Sequence, residues 1–131
     1  MENTKSMKRA LWINVIFIEA LAIAALFFGD TNLVQEVTNG QALMIGIDLI
    51  LFSGLITFAA LKKTISKSLL WVIIGLNDVT LLLLISRLFD SSISTLTFEM
   101  IAIDTAMLVG IIVLEIRAMR EAVQKTTTLL S

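Results

Sequence analysis

The chain has 131 residues, of which 57% are hydrophobic and 16% charged, and its formal net charge at pH 7 is −1. Soluble domains are about 45–50% apolar and about a quarter charged, so this apolar excess must face something other than water. Cys, His, Pro and Tyr are all missing. Without Cys and His, disulfides, haem ligation and the common zinc and iron–sulfur sites are excluded. The near-neutral charge gives no reason to expect a nucleic-acid partner.

Four apolar segments are each long enough to cross a bilayer, since about 20 apolar residues span a hydrocarbon core of about 30 Å. Polar, turn-forming stretches at 29–32, 62–64 and 90–92 separate them. The sequence therefore predicts an all-α integral membrane protein, a four-helix transmembrane bundle forming a single domain over residues 1–131. The predicted spans cover approximately residues 10–28, 42–61, 68–88 and 98–116.

Basic residues are concentrated on one side of these spans, which predicts the orientation. Nine of the ten Lys and Arg residues precede the first span, lie between the second and third, or follow the fourth. Because basic loops stay in the cytoplasm, we predict a multi-pass protein of the cell membrane with both termini cytoplasmic. Trp12 and Trp71 then lie at the cytoplasmic boundary, where aromatic belts form. Arg87 lies on the opposite side, with the loop acids Asp30, Glu36, Asp90 and Glu99.

Two halves of the sequence resemble each other. Met44-Ile45-Gly46-Ile47-Asp48 in span two matches Met100-Ile101-Ala102-Ile103-Asp104 in span four at an offset of 56 residues. Spans one and three align at an offset of 59, which pairs Trp12 with Trp71 and Glu19 with Asp78. We predict two tandem helical-hairpin repeats, about 8–63 and 67–120. Each contains an even number of spans, so their pseudo-twofold axis should be parallel to the membrane normal.

Four acids lie inside the predicted spans. Glu19 and Asp78 are near the centres of their spans, whereas Asp48 and Asp104 are in the outer half. An acid at a helix centre costs roughly 2.5–3.5 kcal/mol on insertion scales. We therefore expect all four to face the bundle interior, a wet cavity or each other.

The same four acids are the candidate ion- or proton-binding residues. Arg87 is the one basic residue near them, so some acids must be protonated or must bind a cation. Oxygen ligands suit Na⁺ or a hard divalent cation, and no other cofactor is expected. Asn14, Asn77 and Arg87 are candidate supporting polar residues, with Arg87 as an outer counter-ion. The alternative is that the acids only form interhelical hydrogen bonds. Glu115, at the end of span four, is expected to lie in a solvated helix end.

Small residues predict where helices pack. Ala102, Ala106 and Gly110 recur every four residues, and Gly46 and Gly54 form a partial equivalent in span two. Such a seam allows close backbone approach. It lies on the opposite face from the acid of the same helix, and neither face should meet lipid. We therefore predict a subunit interface, in a homo-oligomer or a membrane complex.

These patterns favour a cation- or proton-coupled membrane transporter or channel using intramembrane carboxylates. A non-catalytic subunit that assembles or anchors a larger membrane complex is the alternative, because the acids would then pair with basic residues of a partner. An intramembrane aspartate hydrolase is a third interpretation and needs two aspartates around one water. An enzymatic role is not expected, since no other catalytic motif is present.

Overall fold

The computed structural model describes residues 1–28, 39–89 and 93–130, except the side chains of residues 28, 39 and 126–130. It contains four α-helices, each long and apolar enough to cross a membrane, as predicted. The predicted outer loops at 29–32 and 90–92, with Asp30, Glu36 and Asp90, lie outside the described residues. The helices are α1 Lys5–Phe28, α2 Asn39–Leu61, α3 Lys67–Leu88 and α4 Thr95–Leu130.

Helix α4 is much longer than span four. The predicted span ends at about residue 116, and the helix continues beyond it to Leu130. Residues beyond 116 are good helix formers without Gly or Pro, so nothing in the backbone ends the helix there. An inward apolar stripe also continues, since Ala118, Met119 and Ala122 are buried. The length of the apolar segment therefore does not give the length of the helix.

Neighbouring helices run antiparallel, and α1 and α4 lie at the centre of the arrangement. Helix α1 packs most extensively against α2 and also contacts α4, whose other side packs against α3. The contact between α2 and α3 is the least extensive of the four helix pairs. Large apolar side chains such as Ile16 (69% exposed) and Leu82 (66% exposed) cover much of the outer surface. This distribution suits a bundle surrounded by lipid.

The α1–α2 contact depends on one glycine. A Cβ atom built on Gly46 would lie 2.6 Å from both Cγ and Cδ2 of Leu26, so a side chain at this position requires Leu26 to move. Gly54 and Gly110 differ, since a Cβ atom there would meet nothing within 4 Å among the described residues. Ala106 is also exposed and Ala102 is half-buried. Among the small residues of the predicted seam, Gly46 thus makes a tight contact within the chain. Gly54, Ala106 and Gly110 are exposed and remain available to a partner.

Asn3 joins the start of the chain to the end of α2. Its side-chain Nδ2 donates to the carbonyl oxygens of Ala59, Ala60 and Lys62 at 3.2, 3.1 and 2.8 Å. The last carbonyls of a helix have no partner within the helix, so this amide caps them. The main chain adds a bond from Asn3 N to Lys63 O at 3.0 Å. The N-terminal segment therefore packs on the α2–α3 connection.

An ion pair brings α4 to the same end. Lys125 Nζ lies 3.2 Å from Glu2 Oε2, and both side chains are more than half exposed. The start of α1, the α2–α3 connection and the last turns of α4 thus meet at one end of the bundle. We call this the basic end. It carries Lys5, Lys8, Arg9, Lys62, Lys63, Lys67, Arg117, Arg120 and Lys125.

Candidate functional site

Glu115 of α4 is fully buried, with 0% of its surface exposed. The prediction that it lies in a solvated helix end is wrong. Because α4 continues well beyond it, Glu115 belongs to an inward stripe that repeats every three or four residues. Leu108, Ile111 and Ile112 precede it on this stripe, and all three are buried. The packing of α4 thus places a carboxyl group inside the bundle.

Two asparagines from different helices hold this carboxyl group. Asn14 Nδ2 of α1 donates to Glu115 Oε1 at 2.7 Å, and Asn77 Nδ2 of α3 donates to the same oxygen at 2.9 Å. Both asparagines are 0% exposed. Hydrogen bonds to a charged acceptor in such surroundings are among the strong ones. The three residues, which we call the Glu115 cluster, thus join α1, α3 and α4.

The remaining oxygens of the Glu115 cluster are buried acceptors. Glu115 Oε2, Asn14 Oδ1 and Asn77 Oδ1 accept no hydrogen bond from the described residues. Three such oxygens with one formal negative charge suit a proton or a monovalent cation. A hard divalent ion fits less well, because it takes six or more oxygen ligands and would leave a buried positive charge uncompensated.

Apolar side chains lie on both sides of the Glu115 cluster along the bundle axis. Leu11 and Leu70 precede the asparagines toward the basic end, and both are fully buried. Ile18 and Leu108 lie toward the opposite end and are also fully buried. Water therefore does not reach Glu115 directly from either end in this conformation. An ion that enters or leaves the cluster requires a rearrangement of these side chains.

The four acids singled out from the sequence lie elsewhere. Glu19, Asp48 and Asp78 are exposed and Asp104 is half-buried. None of the four is fully buried in the bundle interior, whereas Asp48 and Asp104 border cavities at the surface. Glu19 Oε1 accepts a hydrogen bond from Ser53 Oγ of α2 at 3.1 Å. The physical reason is that the inward faces of α1 to α3 are already filled, largely by apolar side chains.

Asp48 and Asp104 line separate surface cavities. Asp48 borders a cavity of about 320 Å³ between α2 and α3, beside Thr80. Asp104 borders a cavity of about 360 Å³ between α1 and α4, beside Phe17. The structure does not bring these two acids into one site. Their role in ion binding stays a prediction.

Arg87 lies in the last turn of α3 and is half-buried. Its Nε atom has no hydrogen-bond partner within residues 1–28, 39–89 and 93–130. Of the acids that the sequence places on its side, Asp30, Glu36 and Asp90 lie outside that part of the chain, whereas Glu99 is exposed on α4. Its role as an outer counter-ion also stays a prediction.

The pattern that identifies Glu115 was present in the sequence. Glu115 follows Ile111 and Ile112 by four and three residues, which places it on the apolar stripe of α4. Asn14 and Asn77 are polar residues inside spans one and three and need a partner there. Sequence reasoning missed the connection because Glu115 lies next to the charged residues Arg117, Arg120 and Glu121 and was assigned with them to a solvated helix end.

Among the described residues, no three His, Cys, Asp or Glu side chains come together as a metal site. The chain matches no protein-family model, and neither the curated proteins nor the solved structures include a match to it. The functional interpretation therefore rests on the geometry of the chain itself.

Proposed function

We propose that this protein is a small cation- or proton-coupled membrane transporter or channel, and that Glu115 takes up the proton or monovalent cation. One observation carries the proposal. A fully buried carboxyl group has one oxygen held by two asparagine amides, while its other oxygen accepts nothing from the described residues. Such a group is arranged to change its charge.

The Glu115 cluster accommodates both charge states. When Glu115 is ionised, the amide groups of Asn14 and Asn77 stabilise Oε1. A proton or Na⁺ at Oε2 then removes the net charge, and the two amide oxygens can accept or ligate. Because an uncompensated charge inside a bundle is costly, uptake and release change the free energy of the surrounding packing. This dependence is what ion-coupled transport requires.

The packing of the helices indicates where movement is least costly. Helices α2 and α3 contact each other least, although they are adjacent in the chain. The α1–α2 pair packs most extensively and contains the Gly46–Leu26 approach. Interfaces with few buried contacts open at the lowest free-energy cost. Separation of the two hairpins along α2–α3 is therefore the proposed motion that exposes the Glu115 cluster.

Burial at several corresponding positions supports the proposed duplication. At the offset of 59 residues, buried Leu11 corresponds to buried Leu70, and exposed Trp12 to exposed Trp71. At the offset of 56, Glu115 corresponds to Ala59, and both are fully buried. The proposed repeats thus share these inward positions, and Glu115 lies where the first repeat has Ala59. Other inward positions differ in chemistry as well, since buried Asn14 corresponds to Ile73 and buried Asn77 to Ile18.

Reconstituted liposomes with an enclosed pH-sensitive dye test the proposal. Glu115→Gln keeps the size and hydrogen bonding of the side chain but removes its titratable charge. We expect it to abolish proton flux or cation-driven proton movement that the wild-type protein shows. Glu121→Gln is the matched control, because Glu121 is an exposed acid on the same helix. Normal flux through the Glu115→Gln variant, or no flux of H⁺, Na⁺ or Mg²⁺ through the wild type, contradicts the proposal.

A second candidate function is assembly with other subunits, and the exposed acids favour it. Glu19, Asp48 and Asp78 are exposed on helices that are long enough to cross a membrane. Carboxyl groups that face lipid are costly, so a second copy or a partner subunit is expected to cover them. The cysteine-free chain permits single-cysteine crosslinking. Crosslinked dimers of Gly110→Cys but not of Leu82→Cys in membranes support a homo-oligomer, and equal crosslinking of both contradicts a specific interface.

A further inference from the structure

A groove between α3 and α4 at the basic end has the chemistry of a lipid site. Its volume is about 280 Å³, and Lys67 and Trp71 of α3 face Arg120 of α4 across it. Met119 and Val123 provide an apolar floor, and Gln124 completes the rim. We call this the Lys67–Arg120 groove. Two cations, one indole ring and an apolar floor are therefore brought together by two helices.

The cations of this groove have no acid beside them. Neither Lys67 nor Arg120 forms an ion pair with a described residue, and no carboxylate is among the residues that line the groove. Lys8 is the equivalent of Lys67 in the first repeat, at the offset of 59. It lines a different cavity, which also contains the carboxylates of Glu2 and Glu121. Lys5 and Lys125 also line that cavity, so three cations there face two carboxylates, whereas the Lys67–Arg120 groove has two cations and no carboxylate.

We propose that the Lys67–Arg120 groove binds the phosphate headgroup of an anionic phospholipid. Arg and Lys are the side chains that recognise phosphate, through charge and multiple N–H donors. Trp71 is 53% exposed and lies one helical turn from Lys67, at the level where indole rings meet headgroups. The two cations of the groove complement the net negative charge of an anionic headgroup. The groove has no carboxylate to pair with the positive group of a zwitterionic headgroup.

The surface beyond the groove suits the acyl chains. Val113 lies seven residues before Arg120, on the same face of α4, and is 48% exposed. Leaving the groove toward the membrane centre, a lipid chain therefore meets apolar side chains. A soluble phosphate ion would use the cations and leave the apolar floor uncovered. The combination favours a lipid as the source of the phosphate, and it does not depend on the role of Glu115.

Tryptophan fluorescence tests this inference, because the two tryptophans provide an internal comparison. In a Trp12→Phe background, bromine-labelled phosphatidylglycerol should quench Trp71 more strongly than bromine-labelled phosphatidylcholine does at equal lipid fraction. In a Trp71→Phe background, quenching of Trp12 should show no such preference. Each cation near an anionic surface contributes roughly fivefold in affinity, so Lys67→Gln with Arg120→Gln should weaken the preference by about 25-fold.

Lys63→Gln with Arg9→Gln is the matched control, because it removes the same two charge types from the basic end outside the groove. It should retain the preference of Trp71 for the anionic lipid. An equal loss in both double variants shows a diffuse charge effect and overturns the proposal. Equal quenching of Trp71 by the two lipids, in the protein that retains Lys67 and Arg120, also overturns the proposal. Millimolar inorganic phosphate is then added as a competitor at constant ionic strength. If it abolishes the preference for the anionic lipid, the groove binds phosphate itself and the proposed lipid ligand is wrong. Circular dichroism checks that both double variants remain folded.

Discussion

Asn14 and Asn77 donate to one and the same oxygen atom, Oε1 of Glu115, at 2.7 and 2.9 Å. The two asparagines come from different helices of the bundle and converge on a third. A carboxyl group held in this way restricts how α1, α3 and α4 can move relative to one another. The second carboxyl oxygen, Oε2, is buried and accepts no hydrogen bond from the described residues.

The first prediction separates the structural role of Glu115 from its titration. Glu115→Leu leaves two buried amide groups without an acceptor, and each costs about 1–3 kcal/mol. We expect a loss of roughly 2–5 kcal/mol in the free energy of unfolding. Glu115→Gln supplies an acceptor oxygen and should cost less than about 1 kcal/mol. Unfolding of purified protein in detergent measures both. Equal destabilisation by Gln and Leu contradicts the hydrogen-bonded arrangement.

A second prediction concerns the close approach of α1 and α2. Gly46→Ala places a Cβ atom against Leu26, and overpacking of this kind costs about 1–3 kcal/mol. Gly110→Ala is the control, because a Cβ atom there meets nothing within 4 Å and Ala is the better helix former by up to about 1 kcal/mol. Thermal unfolding should therefore move in opposite directions for the two variants.

A double variant checks the cause of the Gly46 effect. Leu26→Ala removes the side-chain atoms that the new Cβ would meet. The combined Gly46→Ala and Leu26→Ala variant should thus be more stable than the sum of the two single effects predicts. Strict additivity would show that the two residues do not contact each other.

The third prediction concerns the cap that Asn3 forms on α2. Asn3→Ala removes donors from three carbonyl oxygens and should cost about 1 kcal/mol. Asn3→Asp should cost more at neutral pH, because an ionised carboxylate there faces carbonyl oxygens and the negative end of the helix dipole. Unfolding at pH 7 should rank wild type above Asn3→Ala, and Asn3→Ala above Asn3→Asp.

The pH dependence of the Asn3→Asp variant has a definite sign. Its surroundings raise the pKa of the new carboxyl group in the folded state above the unfolded value of about 3.9. The folded state then binds more protons, so the variant loses stability as the pH rises from about 4 through the raised pKa. Wild type and Asn3→Ala lack this group. A destabilisation of Asn3→Asp that grows on acidification instead would contradict the assignment.

A fourth prediction is the orientation in the membrane. Nine of the ten basic residues lie at the end where the N-terminal segment, the α2–α3 connection and the last turns of α4 meet. Basic segments remain on the cytoplasmic side. A reporter protein active only in the cytoplasm should therefore be active when fused at either terminus. Activity of a periplasmic reporter at the C-terminus would reverse the proposed orientation.

The fifth prediction compares Asp48 with Asp104, which correspond to each other in the proposed repeats. If they pass ions to the Glu115 cluster, Asp48→Asn and Asp104→Asn should lower flux to a similar extent while insertion is unchanged. Asn preserves volume and hydrogen bonding, so a purely structural role predicts wild-type flux for both. Liposome flux and the yield of folded protein distinguish the outcomes. A defect in only one variant would argue against equivalent roles.

Hydropathy and charge in the sequence determined the four helices and predicted their orientation. Segments as apolar as Gly40–Leu61 can satisfy their backbone groups in lipid only as helices. The N-cap of α3 is also a local feature, since Ser66 accepts a hydrogen bond from Leu69 N at 3.1 Å. These are properties of contiguous residues, so they can be predicted from the sequence alone.

The tertiary structure decided which polar residues face inward. Glu19 and Asp78 lie near the centres of predicted spans and were therefore expected to be shielded from lipid, yet both are exposed in the single chain. Glu115 was placed in a solvated helix end, yet it is the buried carboxyl group. The presence of an acid in an apolar span indicates that the acid needs a partner. Which direction the acid faces depends on the rotation of its helix about the helix axis, and packing against the other helices sets that rotation. Two distant asparagines converge on Glu115 because of that rotation, which the hydropathy of single segments does not encode.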